Sequence, residues 1–412
     1  MKRIVIKILI LSLLIGSPAL AQTLNLFRLS DLEEAKSAYL ENGKYEKEIN
    51  SLISLADEAM KVKFYSITKY KAPKAEGATI NDYISDSPYW WPVEDEPDAP
   101  YIRKDGERNP DRFMDHKAEV AKFYKGVFAL VFASYFTGNT EYAEKANSLL
   151  KVWFIDEATK MNPNFKFSQL IRNRTKLRGV GIIDGRRFAT LTEAIILLHQ
   201  SGQLNNEVFE GIKNWYSELL TWLTTSYQGL DEKDRGNNHG TWWSFQVAAA
   251  SNLLQDMKQM EMLDSYSKHY LLDNQIDENA RQPMEEERTR SLSYSAFNVT
   301  AHTYLNSVLL KNKIDNWNYV NENNATLINV VEYLLPFVQE PSSWEIEQIA
   351  QMNNSDPLFL GFAGLHIDNK KYLEIYNELS RFDESSLNKP TFDPIQIVLD
   401  LVVKLNLGKN EN

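Results

Sequence analysis

A ring of helical hairpins is what this 412-residue sequence predicts: an all-α fold, either an (α/α) toroid or an incomplete (α/α) barrel of about six to seven hairpins. Three observations lead there. Apolar residues recur at three- and four-residue steps along most of the chain, the spacing that puts them on one helical face. The periodic segments are of similar length, and short punctuation such as Gly138-Asn139, Gly202 and residues 321–324 separates them, as helix stops and turns do. No alternating, strand-like run has comparable strength, and no sequence signature repeats. A toroid is therefore favoured over a helical-repeat solenoid.

The elements follow in order. Lys2, Arg3 and Lys7, an apolar stretch over 8–15, and Ala19-Leu20-Ala21 before Gln22 read as a cleavable signal peptide over residues 1–21. The apolar stretch is too short to span a bilayer well. Residues 22–412 read as a single domain, soluble and periplasmic or secreted, and expected to be a monomer. Helical faces are expected over 29–40, 45–62, 120–135, 141–154, 187–199, 206–223, 241–254, 291–310, 325–337 and 372–379. Two stretches interrupt them. Residues 71–115 hold Pro88, Pro92, Pro97, Pro100 and Pro110, and residues 161–187 are rich in Asn, Arg and Gly. Loops of that length in one domain are usually functional, because ordering them costs entropy without adding core.

Composition narrows the chemistry. The absence of cysteine excludes a lipid anchor after the signal, disulfides and thiolate catalysis. Losing Lys2, Arg3 and Lys7 leaves 42 basic against 56 acidic residues, a net charge of −14, which argues against nucleic acid as partner. A local cationic cleft can still hold an anion. There is no P-loop, no dinucleotide fingerprint and no nucleophile elbow. The six histidines form no His-x-x-x-His pair, so no zinc site is expected.

Four segments carry candidate chemistry. Asn237, Asn238 and His239 precede a helix whose expected N-cap is Thr241; a helix start favours anions, and the Asn amide and His imidazole add donors. Their plainer role is to cap that helix. Arg290 and Tyr294 are four apart on one helical face, with Arg288 at the helix entry; a cation near the phenol should lower its pKa from about 10. A core tyrosine is the plainer alternative. Tyr89, Trp90 and Trp91 sit in a proline-bounded loop with Arg103 downstream, suited to stacking on sugar rings and pairing with a carboxylate, or else to pinning the loop. Arg172, Arg174, Lys176, Arg178, Arg186 and Arg187 follow Gln169, a basic cluster suited to a polyanion or spread over a solvated loop. Gln169 and Trp242 join the candidates for substrate binding.

The runs Tyr89-Trp-Trp-Pro92 with Pro100-Tyr-Ile-Arg-Lys-Asp-Gly106, Met161-Asn-Pro-Asn164, Gly179-Val-Gly-Ile-Ile-Asp184, Asn237-Asn-His239 and Arg288-Thr-Arg-Ser-Leu-Ser-Tyr294, in that order, resemble the alginate lyase superfamily. The resemblance spans roughly residues 80–300. It implies an (α/α) toroid that cleaves uronic-acid polysaccharides by β-elimination without a cofactor. It also implies that Asn238 and His239 hold the uronate carboxylate and that Tyr294 moves protons. One departure stands out. The mannuronan-lyase branch places its tyrosine seven residues after the arginine, which from Arg290 is Phe297. Counted from Arg288, Tyr294 comes six residues later, as in another branch.

The chemistry asks for the same residue types. The C5 proton lies alpha to a carboxylate, so Asn238, His239 and Arg288 can stabilise the charge that develops there. Tyr294 could serve as base and acid for groups on one face of the sugar; for opposite faces, His239 is the base and Tyr294 the acid. The rivals are a helical glycoside hydrolase using Asp184 with Asp115 or Glu286, and a non-catalytic glycan-binding protein.

Overall fold

The structure, a computed structural model, describes residues 22–96, 98–350, 352, 357–380, 384–389 and 392–409. The expected signal segment lies outside the described residues. The chain opens with α1 (Leu29–Asn42) and α2 (Glu46–Met60), then crosses β1 (Ile84–Asp86), β2 (Trp90–Trp91) and β3 (Ile102–Arg103) to α3 (Asp115–Thr137) and α4 (Thr140–Phe154). After β4 (Phe167–Leu170) come α5 (Arg186–Gln200), α6 (Asn206–Thr225), α7 (Tyr227–Lys233), α8 (Asn238–Leu254) and α9 (Met257–Tyr266). Two short helices, α10 (Asp273–Gln275) and α11 (Pro283–Glu286), lead to α12 (Ser291–Lys311) and α13 (Leu327–Gln339). The last three are α14 (Leu358–His366), α15 (Lys370–Leu379) and α16 (Ile395–Gly408).

Burial sorts these helices into two layers. In α3, α5, α8, α12, α14 and α16 most side chains are buried. Helices α2, α4, α6, α13 and α15 bury one stripe only. A helix that is apolar all round must sit inside, and an amphipathic one must cover it. The inner helices pack in sequence, α3 on α5, α5 on α8, α8 on α12, α12 on α14 and α14 on α16, and α16 returns to α2, itself against α3. The ring closes as an (α/α) toroid. Stacked Phe123 and Trp153, with ring centroids 4.2 Å apart, mark the seam between α3 and α4. At the α3–α4 corner the chain reverses through Gly138 at φ +75°, a left-handed conformation that glycine adopts without strain.

The expected helical periods match α1–α6, α8, α12, α13 and α15. The inner helices α14 and α16 were not expected, nor were α7 and α9. Leu358-Phe-Leu-Gly-Phe-Ala-Gly-Leu-His366 and Ile395-Gln-Ile-Val-Leu-Asp-Leu-Val-Val403 are buried on almost every side. The first carries no polar face, and the second only the narrow Gln396–Asp400 line, itself buried, so neither gives a clear amphipathic period to read. The start of α8 also differs from expectation. Asn237, not Thr241, is the cap: its Oδ1 accepts from His239 N at 3.1 Å, which places Asn238 and His239 inside the first turn. Thr241 Oγ1 instead meets Gln275 Oε1 at 3.2 Å.

A strap precedes α1. Leu24, Leu26 and Phe27 are buried, and the Glu193 carboxylate of α5 accepts the backbone N–H groups of Asn25, Leu26 and Phe27 at 2.6, 3.0 and 3.0 Å. Asn252 of α8, Ser307 of α12 and His366 of α14 bond the same segment. Glu193→Ala would strand three buried donors. It is expected to lower stability by about 3 kcal/mol in all, seen as a Tm lower by roughly 4 °C.

Where strands form they fall in the two long loops. Parallel β1 and β4 pair Ile84 with Phe167, and antiparallel β2 and β3 pair Trp90 with Arg103. Among the described residues no helix is long and apolar enough to cross a membrane.

Candidate active site

The two segments singled out in the sequence meet through a residue that was not. Glu285, buried at 1% exposure in α11, accepts Asn238 N at 2.6 Å and the Asn238 amide at 2.9 and 2.8 Å. Its carboxyl is raised above the ordinary range because burial outweighs those hydrogen bonds and the charges of Arg288 and His239. The Asn238 amide nitrogen is thus turned onto Glu285, and an incoming carboxylate would meet it only by displacing Glu285.

His239 turns the other way. Its Nδ1 lies 2.6 Å from Glu232 Oε1, and its side chain keeps 20% exposure. A carboxylate only accepts, so Nδ1 carries a proton, and Nε2 is the lone-pair nitrogen of the neutral imidazole. Arg235 Nε pairs with the other Glu232 oxygen at 3.1 Å. The result is a buried carboxylate, an oriented imidazole and a free nitrogen at the start of α8.

Tyr294 lies on the first turn of α12. Its hydroxyl is 2.7 Å from that of Tyr89, and the Arg288 guanidinium stands 4.0 Å over its ring. Arg288, rather than Arg290, is therefore the cation that touches it. The expectation of a lowered phenol pKa is overturned. Burial pushes the Tyr294 phenol well up, the neighbouring Tyr89 adds to this, and Arg288 offsets only part. In the resting site Tyr294 holds its proton.

Arg288 is itself clamped by the β2–β3 loop. Asp105 takes its Nε and Nη2 at 3.1 and 2.8 Å and also pairs with Arg103 at 2.6 Å. Burial alone would raise the Asp105 carboxyl, but the hydrogen bonds and charge of Arg288 hold it at about 2. The loop approaches so closely that a Cβ at Gly106, where φ is +73°, would stand 2.3 Å from Thr289 Oγ1. Arg290 caps α12, half-buried, its Nε without a partner.

The other candidates divide. Tyr89, Trp90 and Trp91 are all half-exposed. Trp90 is flanked by Arg174 and Arg178 at 4.6 and 5.7 Å from its ring, and Trp91 by Lys104 at 5.0 Å. Trp90, Arg112 and Arg172 border a cavity of about 350 Å3. Gln169 directs its amide to Asp184 at 3.2 Å, a buried carboxylate also held by Tyr83, Ser85 and Lys117. That network leaves Asp184 no room to act on a glycosidic bond. Trp242 differs most from expectation. It is 3% exposed and packs on Phe297 and Phe245 at 4.9 and 5.9 Å, so its ring belongs to the core beneath the cleft. Phe297, the position of the seven-residue spacing, shares that contact.

Glu232, Glu285 and Asp105 were missed in the sequence. Their acidic side chains look like ordinary surface charge until the fold buries them. The one available signal was position, since Glu232 lies seven residues before His239 and Glu285 three before Arg288. Among the described residues no group of three or more His, Asp or Glu side chains is placed to hold a metal ion.

Known proteins share this fold. The family model described as alginate lyase matches residues 66–344. Among solved structures, an alginate lyase from Bacteroides ovatus superposes with a TM-score of 0.80 at 29% identity, covering 89% of this chain and 99% of that one. Alginate lyase A1-III from Sphingomonas species A1 gives 0.56 at 16% identity, covering 93% and 99%. A variant of that protein complexed with a tetrasaccharide gives the same score and identity over 89% and 92%. At that identity these last two speak to the fold alone. No curated protein matches the sequence. With a family match over well more than half its length, the chain belongs to the alginate lyase family and is a polysaccharide lyase.

Proposed function

We propose that this lyase acts on mannuronate-containing alginate or on a related uronan such as glucuronan, cleaving by β-elimination to 4,5-unsaturated oligosaccharides. The observation that carries the reading is the Tyr89–Tyr294–Arg288 contact, a protonated phenol under a guanidinium and beside a half-exposed aromatic loop. His239 completes the proton machinery with its free Nε2. Arg288, once a substrate carboxylate competes with Asp105, stabilises the charge that grows on that carboxylate as C5 loses its proton. Asn238 holds the same group once its amide is released from Glu285. Sugar stereochemistry then divides the labour. Where H5 and O4 lie on opposite faces, His239 Nε2 takes the C5 proton and Tyr294 delivers its own to O4. Where they share a face, Tyr294 first yields its proton and does both. The N-terminal pattern of residues 1–21 and the lack of cysteine support a periplasmic or secreted, unanchored enzyme.

The test is a panel of mannuronan, guluronan and glucuronan, followed by ultraviolet absorbance of the unsaturated product and by product size. His239→Ala is expected to abolish turnover of opposite-face sugars and to spare same-face ones at least partly. Equal loss on both would assign His239 to carboxylate binding. No absorbance on any uronan, with saturated product ends instead, would favour hydrolysis.

A further inference from the structure

Helix α5 begins with Arg186 and Arg187, an arrangement that physics disfavours. The first turn of a helix already presents partial positive charge, so cations belong at the other end. Neither arginine makes an ion pair among the described residues, although Asp184 and Asp393 act on Arg186 from farther off. Arg187 makes no hydrogen bond or ion pair among the described residues; its guanidinium stands only over the Tyr124 ring at 6.0 Å. Arg186 donates to Ile183 O at 3.3 Å and is framed by Trp242 and Phe297 at 5.9 and 5.6 Å.

Two more cations come from neighbouring α3. Lys117 Nζ is 2.6 Å from Asp184 Oδ1, and Lys125 Nζ reaches only the Leu387 carbonyl, at 2.9 Å. The opposing carboxylates are Asp184, shared as described, and Asp393, which accepts the Tyr124 hydroxyl at 2.6 Å. Four half-buried cations thus face two carboxylates. Burial first, and the neighbouring Arg187 next, hold Lys125 and Arg186 below their ordinary pKa, with Asp184 and Asp393 opposing this in part at Arg186; Lys117 is lowered too, although Asp184 opposes it. Uncompensated charge in a low-dielectric site is costly unless something arrives to pair with it.

We infer that Arg186 and Arg187, backed by Lys117 and Lys125, form a carboxylate-binding subsite for the uronate next to the one being cleaved. The inference rests on the polyuronate reading above. Position supports it. Phe297, which frames Arg186, follows Tyr294 by three residues on α12, roughly 4.5 Å along the axis, so the cationic floor adjoins the proton-transfer centre. It also lies on the inner ring, apart from the Arg174–Trp90–Arg178 stack on the outer loop. The cleft therefore has two cationic stations with the catalytic phenol between elements that carry them.

The test uses the full-length protein with Arg187→Gln and Arg186→Gln. On the uronan that the wild type cleaves, each is expected to raise KM by about tenfold or more, the scale of one charge-assisted hydrogen bond, with the loss falling on KM rather than kcat. Ligand-free Tm should stay level or rise, because a repelled cation has been removed. A purely structural arginine would do the reverse, and a lower Tm with KM unchanged would overturn the inference. Oligoglucuronate and oligomannuronate binding, read as a Tm increase, separates the two readings. Stabilisation of the wild type that Arg187→Gln loses, with no product absorbance, would uphold the subsite and overturn the lyase assignment. Normal cleavage with unchanged KM in both variants would do the opposite.

Discussion

Tyr294→Phe is expected to remove at least about 10³-fold of the lyase rate, within the range that a positioned proton donor contributes. The hydroxyl is the only atom lost, and its partner is the Tyr89 hydroxyl at 2.7 Å. Tyr89 is half-exposed, so water can replace the missing group, and stability should fall by no more than about 1 kcal/mol. Unaltered activity would exclude Tyr294 from proton transfer. Tyr89→Phe is the matched control and should cost far less; a larger loss there would exchange the two roles. The pH profile adds a second criterion. Because burial holds the Tyr294 proton on, an enzyme that uses it as an acid keeps its rate well into alkaline solution. One that needs the phenolate from the start gains rate as pH rises.

Arg288→Ala should be the next largest effect, about 3 kcal/mol of transition-state stabilisation, or roughly 10²-fold in kcat/KM. Two consequences add up. The donor facing the substrate carboxylate is gone, and Asp105 loses the partner that holds its carboxyl at about 2. Asp105→Asn separates them, since it frees the β2–β3 loop but leaves Arg288 in place. The sign of the pH dependence follows from the lowered value. The clamp is fully present above the unfolded carboxyl range near about 3.9 and is lost only as pH falls towards 2. A fall in activity between pH 7 and 5 therefore has another origin. An Arg288→Ala enzyme with wild-type kcat/KM would remove the residue from the site.

Amphipathic helices, long loops and the order of motifs could be read directly, because each leaves a mark within a few residues. Tyr89, Asn238, His239, Arg288 and Tyr294 were picked out that way as candidates. What stayed hidden depends on partners far along the chain. Helices α14 and α16 are buried nearly all round because the ring encloses them, and a window on the sequence cannot see an enclosure. Trp242 looked like a sugar platform beside Asn238 and His239, yet one helical step turned it into the core against Phe297. Tyr294 next to arginines suggested an acidic phenol, but burial, which sequence spacing does not encode, outweighs the cation. Glu285 and Glu232 became visible only when Asn238 and His239 were seen to spend hydrogen bonds on them.

The Asn25–Phe27 strap bears on the order of folding. Its partners, Glu193, Asn252, Ser307 and His366, lie on four different inner helices, the last 340 residues away from Leu26. Contacts of such long range form late, after the entropy of closing the intervening chain has been met. The first of these segments to be synthesised is therefore among the last to settle, and it can do so only when α14 exists. The strap reports completion of the ring: amide exchange at Leu26 and Phe27 should become slow only once every inner helix that holds it is in place.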